Sequence, residues 1–189
     1  VVSGAAGATG SVAGQIAKIK GASKVVGIAG GAQKCAWLTD ELGFDAAIDY
    51  KIEKVEDRLA TLCPEGINIF FDNVGGSILD DALNNLAMHG RIVLCGAISG
   101  YNDEHVSPGP KNYTQLIVQR GQMEGFIVFD YTHRADEAMQ DLSTWLSEGR
   151  IKHTEDVQEG IENAPATFLR LFQGKNKGKQ LLKIADARI

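Results

Sequence analysis

The chain starts with Val1-Val2-Ser3-Gly4-Ala5-Ala6-Gly7-Ala8-Thr9-Gly10-Ser11, the stretch from which the rest is interpreted. The residues before Gly4 are typical of a short β-strand, and glycine then recurs at every third position. Val12, Ile16 and Ile19 follow at helical spacing. A strand that passes through a glycine-rich turn into a helix offers an anion free backbone N–H groups and the positive end of the helix dipole. The stretch predicts a phosphate site, with an ordinary tight turn as the alternative.

The composition argues against several classes of protein. The 189 residues carry a formal net charge of −5, which gives no support for binding nucleic acid or an anionic membrane. No apolar run approaches the roughly 20 residues of a membrane span, and we expect no signal peptide. Cys35, Cys63 and Cys95 are far apart without metal-ligand spacing, so we expect reduced thiols in the cytoplasm and no metal site.

Helix and strand patterns alternate along the chain, which predicts βαβ units and a parallel sheet. After the first strand, predicted strands cover 24–29, 46–50, 67–72, 90–95, 123–129 and 180–185. The pattern indicates a doubly wound parallel α/β sheet, the Rossmann fold, over residues 1–130. A helix–strand extension is predicted over residues 131–189.

Polar and glycine-rich clusters follow the predicted strands one after another. In an open parallel sheet, ligands bind beyond the carboxyl ends of the strands. A cofactor lying across this end of the sheet would contact each cluster. The clusters are residues 4–10, 30–34, Tyr50, 73–76, 95–101 and 126–128.

The end of the second predicted strand decides which dinucleotide is expected. NAD-binding proteins usually carry Asp or Glu there, about 20 residues after the glycines, to hold the ribose hydroxyls. This chain has Gly30-Gly31, with Lys34 just beyond. A carboxylate would repel a 2′-phosphate, whereas an ammonium group attracts one, and Tyr50 can add a hydroxyl. We predict NADP(H); a solvated Lys34 and a packing role for Tyr50 are the alternatives.

Residues near the expected nicotinamide end have more than one interpretation. Asn73 either binds the nicotinamide ribose or closes the turn before Gly75. Tyr101 either reaches the ribose and donates a proton to a substrate, or is an ordinary surface tyrosine. Asp72 ends a buried strand, so we expect it to accept backbone N–H bonds rather than act as a general base.

Eight short motifs occur in order along the chain. They are AAGATGS (5–11), GGAQK (30–34), LGFD (42–45), FDNVGG (71–76), CGAIS (95–99), EGFIV (124–128), ENAP (162–165) and GKNKGK (174–179). Together they resemble the zinc-independent medium-chain dehydrogenase/reductases of the alkenal/one oxidoreductase group. That group includes prostaglandin and leukotriene B4 reductases, plant double-bond reductases and bacterial curcumin reductase. The resemblance covers essentially the whole chain.

The resemblance implies NADPH-dependent reduction of the C=C bond of α,β-unsaturated aldehydes and ketones. Hydride passes to the β-carbon, a proton is added at the α-carbon, and no metal takes part. Tyr101 is implied as the residue that anchors the ribose and assists proton delivery. The implied cofactor-binding residues are Gly7, Ala8, Thr9 and Gly10 at the pyrophosphate, Lys34 and Tyr50 at the 2′-phosphate, Asn73, Cys95, Gly96, Ala97, Ile98, Ser99, Tyr101, Phe126, Ile127 and Val128 at the ribose and nicotinamide, and Asn176, which closes the site.

The family's N-terminal catalytic domain, a GroES-like β-barrel, has no counterpart in this sequence. The extension over residues 131–189 normally returns to that barrel, so we expect residues 180–189 to be displaced, disordered or swapped. The chain alone is expected to be inactive, and residues 124–128 are expected to form the edge of a homodimer. The alternatives are a quinone reductase of the same superfamily and a non-catalytic dinucleotide-binding module.

Overall fold

Five β-strands and the segment 1–3 form one parallel sheet in the computed structural model, which describes residues 1–105 and 108–186. Two further strands pair separately near the C-terminus. The strands are β1 (Val26–Ala29), β2 (Ala46–Asp49), β3 (Ile67–Asp72), β4 (Leu86–Leu94), β5 (Gln122–Gly125), β6 (Glu155–Glu159) and β7 (Lys179–Lys183). The helices are α1 (Ala8–Ile19), α2 (Ala32–Asp40), α3 (Val55–Leu62), α4 (Gly76–Asn84), α5 (Gln115–Val118), α6 (Ala135–Ser147) and α7 (Ala164–Phe172).

The order across the main sheet is β2, β1, segment 1–3, β3, β4 and β5. Val2 forms parallel bridges to Gly27 on one side and to Phe71 on the other, so it joins the two halves. The predicted first strand is therefore present, but only as the isolated bridges that Val2 forms. Because the chain proceeds outward in both directions from this segment, the predicted doubly wound α/β fold is confirmed.

Helices cover both faces of the sheet because side chains alternate along each strand. Val26 and Ile28 of β1 lie in a core cluster with residues of α3 and α4. Val25 and Ala29 lie in a second cluster with residues of α2. No helix in the described residues is long and apolar enough to cross a membrane.

Strand β5 is shorter than the strand predicted over residues 123–129. Its last paired residue, Gly125, lies opposite Leu94, where β4 ends. Beyond this point the Phe126 N–H makes one long bond of 3.4 Å to the Leu94 carbonyl, and the chain continues into a 3₁₀ helix at Val128–Arg134. The homodimer expected through residues 124–128 stays a prediction.

The C-terminal extension forms a compact β6–α7–β7 unit. Strands β6 and β7 pair in parallel over their whole length, from Glu155 opposite Lys179 to Glu159 opposite Lys183. The expectation that residues 180–189 are displaced or swapped is therefore wrong for residues 180–183, since they find a partner within the same chain. Residues 187–189 lie outside the described residues. The division into domains at residue 130 stays a prediction.

Candidate functional site

Two adjoining cavities lie at the carboxyl end of the main sheet. The first, of about 750 Å³, is lined by the glycine turn before α1 and by the loops after β1, β2 and β3. The second, of about 770 Å³, is lined by the loops after β3, β4 and β5. Gly75, Ser77 and Ser99 belong to both. An elongated ligand can therefore cross from one cavity to the other at the switch in strand order.

The three glycines of the first turn have different structural roles. Gly4 has a φ of 57°, which permits the tight turn. Gly7 is the N-cap of α1, and since no side chain caps this end, the first N–H groups of the helix lack partners within it. A Cβ on Gly10 would meet the Gly4 carbonyl and lie 2.9 Å from the Ala5 Cα. Glycine here lets α1 pack closely, and the turn can hold the phosphates of a nucleotide.

The buried carboxylate of Asp72 fixes the loop after β3. It accepts a hydrogen bond from Ser3 Oγ at 2.6 Å and bonds from the N–H groups of Val74 and Gly75 at 3.0 and 3.1 Å. Ser3 Oγ accepts in turn from the Asn73 N–H, and Asn73 Nδ2 donates to the Ser3 carbonyl at 2.7 Å. The prediction that Asp72 is a structural acceptor is confirmed. The Asn73 side chain links the loop after β3 to Ser3, and its proposed contact with the nicotinamide ribose stays a prediction.

Lys34 lies in the first turn of α2 and lines the first cavity. Its Nζ donates a hydrogen bond to the carbonyl oxygen of Gly174 at 2.6 Å. Burial lowers the pKa of Lys34 and the charge of Lys51 lowers it further, while Asp156 opposes the shift. Within residues 1–105 and 108–186, Lys34 Nζ makes a single hydrogen bond, to neutral backbone, so this partly buried ammonium group is suited to binding an anion.

The end of β1 presents backbone to the first cavity. A Cβ on Gly30 would lie 2.9 Å from the ring of Tyr50, so the ring packs against the glycine. Gly31 has a φ of 103° and donates its N–H to the Asp49 carboxylate at 2.8 Å. Asp49, at the end of β2, lines neither cavity. Its carboxylate accepts hydrogen bonds from the backbone N–H groups of Gly31 and Lys51.

Tyr101 lies in the second cavity with the residues that follow β4 and β5. Its hydroxyl oxygen accepts a hydrogen bond from the Ala97 N–H at 3.1 Å, so the hydroxyl proton can be donated to another group. The side chain is 62% exposed. Burial raises the pKa of the nearby Cys95 thiol, and the charge of Asp72 raises it further, which disfavours the thiolate.

The structure brings the predicted site residues together, with one exception. Those in the first cavity are Gly7, Ala8, Thr9, Gly10, Lys34, Tyr50, Asn73, Ile98, Ser99 and Asn176. Those in the second cavity are Cys95, Gly96, Ala97, Ser99, Tyr101, Phe126 and Ile127. Val128 lines neither cavity, because it begins the 3₁₀ turn after β5 and is 69% exposed. That these residues bind a cofactor stays a prediction.

The sequence analysis does not predict several residues of the first cavity as site residues. They are Glu53, Lys54, Val55, Ser77, Ile78, Asp81, Leu171, Phe172, Lys179 and Gln180. Residues 53–55 follow β2, so the rule that ligands bind beyond strand ends could have found them. The last four, at positions 171, 172, 179 and 180, belong to the extension, of which the resemblance implies only Asn176 at the site.

Comparison with known sequences relates the chain to a family of enzymes. Residues 8–146 match the family model described as zinc-binding dehydrogenase. The chain is 50% identical over 189 residues to the putative NADP-dependent oxidoreductase YfmJ of Bacillus subtilis, covering 98% of this chain and 56% of that protein. It is 45% identical over 186 residues to prostaglandin reductase 1 of Bos taurus, covering 97% and 56%. It is 42% identical over 185 residues to 2-alkenal reductase (NADP(+)-dependent) of Nicotiana tabacum, covering 97% and 53%.

Comparison with solved structures gives the same picture. The crystal structure of CurA from Vibrio vulnificus in complex with NADPH matches with a TM-score of 0.91 and 43% identity. The match covers 98% of this chain and 56% of CurA. The chain thus spans a little over half the length of the curated relatives described above.

Candidate metal ligands do not cluster in the described parts of the chain. Within residues 1–105 and 108–186, no group of three or more His, Cys, Asp or Glu side chains could hold a metal ion. The family description names zinc, but the chain covers only part of its relatives. The expected independence of zinc stays a prediction.

Proposed function

Since this chain belongs to the zinc-binding dehydrogenase family, which its match over residues 8–146 shows, we propose that it is the NADPH-binding part of an oxidoreductase. Its resemblance to reductases of the alkenal/one oxidoreductase group is confirmed by the relatives that are 42% to 50% identical. The reaction that we propose is reduction of the C=C bond of a small α,β-unsaturated aldehyde or ketone, without zinc.

One observation carries the choice of cofactor: an uncapped helix N-terminus and Lys34 line the same cavity. The N–H groups at the start of α1 suit a pyrophosphate, and the ammonium group suits a 2′-phosphate. β1 is followed by Gly30-Gly31 rather than by an acidic residue, and the neighbouring Asp49 carboxylate already accepts the Gly31 N–H. The likeness to CurA, whose structure is a complex with NADPH, supports the same choice.

The residues of the site then have distinct roles. The turn Gly7–Gly10 holds the pyrophosphate, Lys34 and Tyr50 hold the 2′-phosphate, and the bound cofactor supplies the hydride. The loop after β4 orients the nicotinamide, and it is itself fixed by a 2.6 Å hydrogen bond from Ser99 Oγ to the Val74 carbonyl. Tyr101 anchors the nicotinamide ribose and assists proton delivery through the hydroxyl proton that Ala97 leaves free.

Reduction of a C=C bond is supported by two observations. The eight motifs that resemble the alkenal/one oxidoreductases span the chain from residue 5 to residue 179. One relative, 42% identical, is named as a 2-alkenal reductase. The proposed substrate is therefore an enal or enone.

The rest of the enzyme is proposed to lie outside this chain. Residues 1–130 would form the nucleotide-binding domain and residues 131–189 an extension that contacts a separate domain with most of the substrate pocket. The share of 56% that the chain covers in its relatives supports this division. We propose a homodimer formed through residues 124–128, which begin at the end of strand β5. The free cysteines Cys35, Cys63 and Cys95 support a cytoplasmic location.

Binding and turnover can be tested separately. NADPH is titrated into the 189-residue chain, and turnover with an enone is measured for the chain and for the longer protein that contains it. We expect both to bind NADPH and only the longer protein to turn over. A preference of about tenfold or more for NADH would contradict the cofactor assignment.

The choice of acceptor separates the remaining functions. Reduction of a quinone but not of an enone by the longer protein would contradict the proposed reaction and favour a quinone reductase. Binding without turnover of either acceptor would favour a non-catalytic module.

A further inference from the structure

Apolar side chains at the start of α3 and on α4 line one part of the first cavity, called the apolar compartment below. Val55, the first residue of α3, and Ile78 of α4 line the cavity, and each is buried, with 6% and 8% exposure. Gly30 and the Tyr50 ring line the same cavity. Apolar side chains that line a cavity suit an aromatic ring.

Two carboxylates line this cavity within the described residues, and they differ in their partners. Glu53 already has two partners, since it accepts a hydrogen bond from the Asp49 N–H at 2.8 Å and forms an ion pair with Arg58 at 2.7 Å. Asp81, on α4, bonds to the side chain of Asn85 only through its backbone carbonyl. No donor in residues 1–105 or 108–186 reaches the Asp81 carboxylate with a hydrogen bond, so it can accept one from a ligand.

The surroundings of Asp81 favour a ligand that donates a hydrogen bond. Burial raises the pKa of Asp81, and the charges of Glu56, Asp80 and Asp57 raise it further, while Lys54 opposes them. The protein therefore stabilises this negative charge poorly. An N–H donor from a ligand would replace lost solvation and relieve part of that cost.

The proposed position of the 2′-phosphate determines which part of NADPH lies near Asp81. In NADPH the adenine is attached to the ribose that carries this phosphate. With the phosphate at Lys34 and Tyr50, the adenine would enter the compartment lined by Val55 and Ile78, since these residues line the same cavity. We infer that the Asp81 carboxylate accepts a hydrogen bond from the 6-amino group of the adenine and so selects adenine over 6-oxopurines. The inference rests on the proposed NADPH function.

A cofactor analogue isolates this contact. Reduced nicotinamide hypoxanthine dinucleotide phosphate differs from NADPH in carrying a 6-oxo group in place of the 6-amino group. Its affinity for the chain is compared with that of NADPH by fluorescence titration. We expect the unchanged chain to prefer NADPH by about tenfold or more, because the carboxylate faces an oxygen in the analogue.

Two substitutions at Asp81 should change the preference in a graded way. Asp81→Ala removes the acceptor and is expected to bring the ratio of affinities to about one. Asp81→Asn adds an amide donor that can bond the 6-oxo group, so the analogue should bind at least as tightly as NADPH. Because both ligands are measured on the same variant, a general loss of stability leaves the ratio unchanged.

Glu56→Gln is the matched control. Glu56 contributes to the charge at Asp81 but does not line the cavity, and its carboxylate accepts a bond from Asn84 Nδ2 at 2.8 Å. We expect this variant to keep the preference of the unchanged chain. The role of Asp81 would be overturned if the preference for NADPH over the analogue fell equally in Glu56→Gln, or if it stayed unchanged in both Asp81 variants. Neither result would contradict the proposal that the chain binds NADPH. Failure of the unchanged chain to bind NADPH would instead reject the proposed function and this inference together.

Discussion

Lys34 Nζ donates a hydrogen bond of 2.6 Å to the carbonyl oxygen of Gly174, 140 positions later in the chain. The same C-terminal loop is bonded to the glycine turn, since the Gly178 N–H donates to the Ala6 carbonyl at 2.8 Å. The extension therefore closes one side of the first cavity. Two ends of the sequence jointly build the site in which we propose that NADPH binds.

Replacing Lys34 with alanine should weaken binding of NADPH much more than binding of NADH. The ammonium group is proposed to bind the 2′-phosphate, which NADH lacks. We expect the affinity for NADPH to fall by about ten- to a hundredfold and that for NADH by less than about twofold. Fluorescence titration measures both. Lys24→Ala is the control, since Lys24 bonds to the Leu62 carbonyl and lines neither cavity. Equal losses for both cofactors would contradict the assignment.

Replacing Gly10 with alanine should destabilise the fold as well as the site. The added Cβ would meet backbone atoms of Gly4 and Ala5, which cannot move away as a flexible side chain does. We expect the free energy of unfolding to fall by about 1–3 kcal/mol in urea denaturation. A Cβ on Gly125 has no atom within 4 Å, so Gly125→Ala should change stability by less than about 0.5 kcal/mol. Similar values for the two variants would refute the packing role.

Replacing Asp72 with asparagine should separate the loop after β3 from the glycine turn. The amide nitrogen of asparagine would face N–H groups that now donate to a carboxylate. We expect a loss of about 1–3 kcal/mol in the free energy of unfolding, together with weaker NADPH binding. Asp40→Asn, at an exposed position on α2, serves as the control. A stability unchanged from that of the control would show that the hydrogen-bond network is dispensable.

Acid should destabilise the protein partly through Asp45 and Asp156. Burial raises the pKa of each carboxyl, but hydrogen bonds from Lys18 and the Val25 N–H to Asp45, and from Arg170 and Gln158 to Asp156, outweigh it and lower both. A carboxyl whose pKa is lower in the folded state stabilises the protein above its unfolded pKa, and this stabilisation is lost as the pH falls through the folded value.

The window for this loss lies below the ordinary aspartate pKa of 3.8. Urea unfolding measured from neutral pH downward should therefore show the loss mainly below this value. Asp45→Asn and Asp156→Asn should each be less stable at neutral pH and less sensitive to acid. An unchanged pH dependence in both variants would rule out their contribution.

Replacing Tyr101 with phenylalanine in the longer protein should slow turnover. The hydroxyl that assists proton delivery is lost, while the ring stays. We expect kcat with an enone to fall by about tenfold or more. The affinity for NADPH should fall by less than about tenfold, because the hydroxyl is also proposed to anchor the nicotinamide ribose. Tyr113→Phe is the control, since Tyr113 is an exposed tyrosine that lines neither cavity. If Tyr101→Phe kept the kcat of the wild-type enzyme, the proposed role in proton delivery would be contradicted, and Tyr101 would be an ordinary surface tyrosine.

The features that local spacing determines are the ones the sequence predicts well. The glycines at positions 4, 7 and 10 indicate the turn, since Gly4 has a positive φ and a Cβ on Gly10 would overlap backbone atoms. Asp72 is predicted as a structural acceptor because a polar residue that ends a buried strand must be hydrogen-bonded. Alternation of helices and strands is enough to indicate the doubly wound sheet.

Contacts between distant segments are where sequence reasoning fails. Nothing near Lys34 indicates that Gly174 lies beside it, and the patterns that identify Asp72 say nothing of Asp81, which reaches the cavity from within α4. The wrong prediction that residues 180–183 are displaced has the same origin. These residues pair with β6 because α7 brings the chain back beside it, and no local pattern indicates that pairing. Strand β5 is overestimated because its length is fixed by the end of β4.

The bridging position of Val2 has a consequence for the order of folding during synthesis. Val2 emerges from the ribosome before either partner, Gly27 or Phe71, and the second is made 44 residues after the first. At synthesis rates of about 5–20 residues per second, that gap lasts roughly two to nine seconds. The half-sheet with β1 and β2 can assemble in this interval, while the other side of residues 1–3 waits unpaired for β3. Translation thus builds the half that carries Lys34 before the half that carries Tyr101.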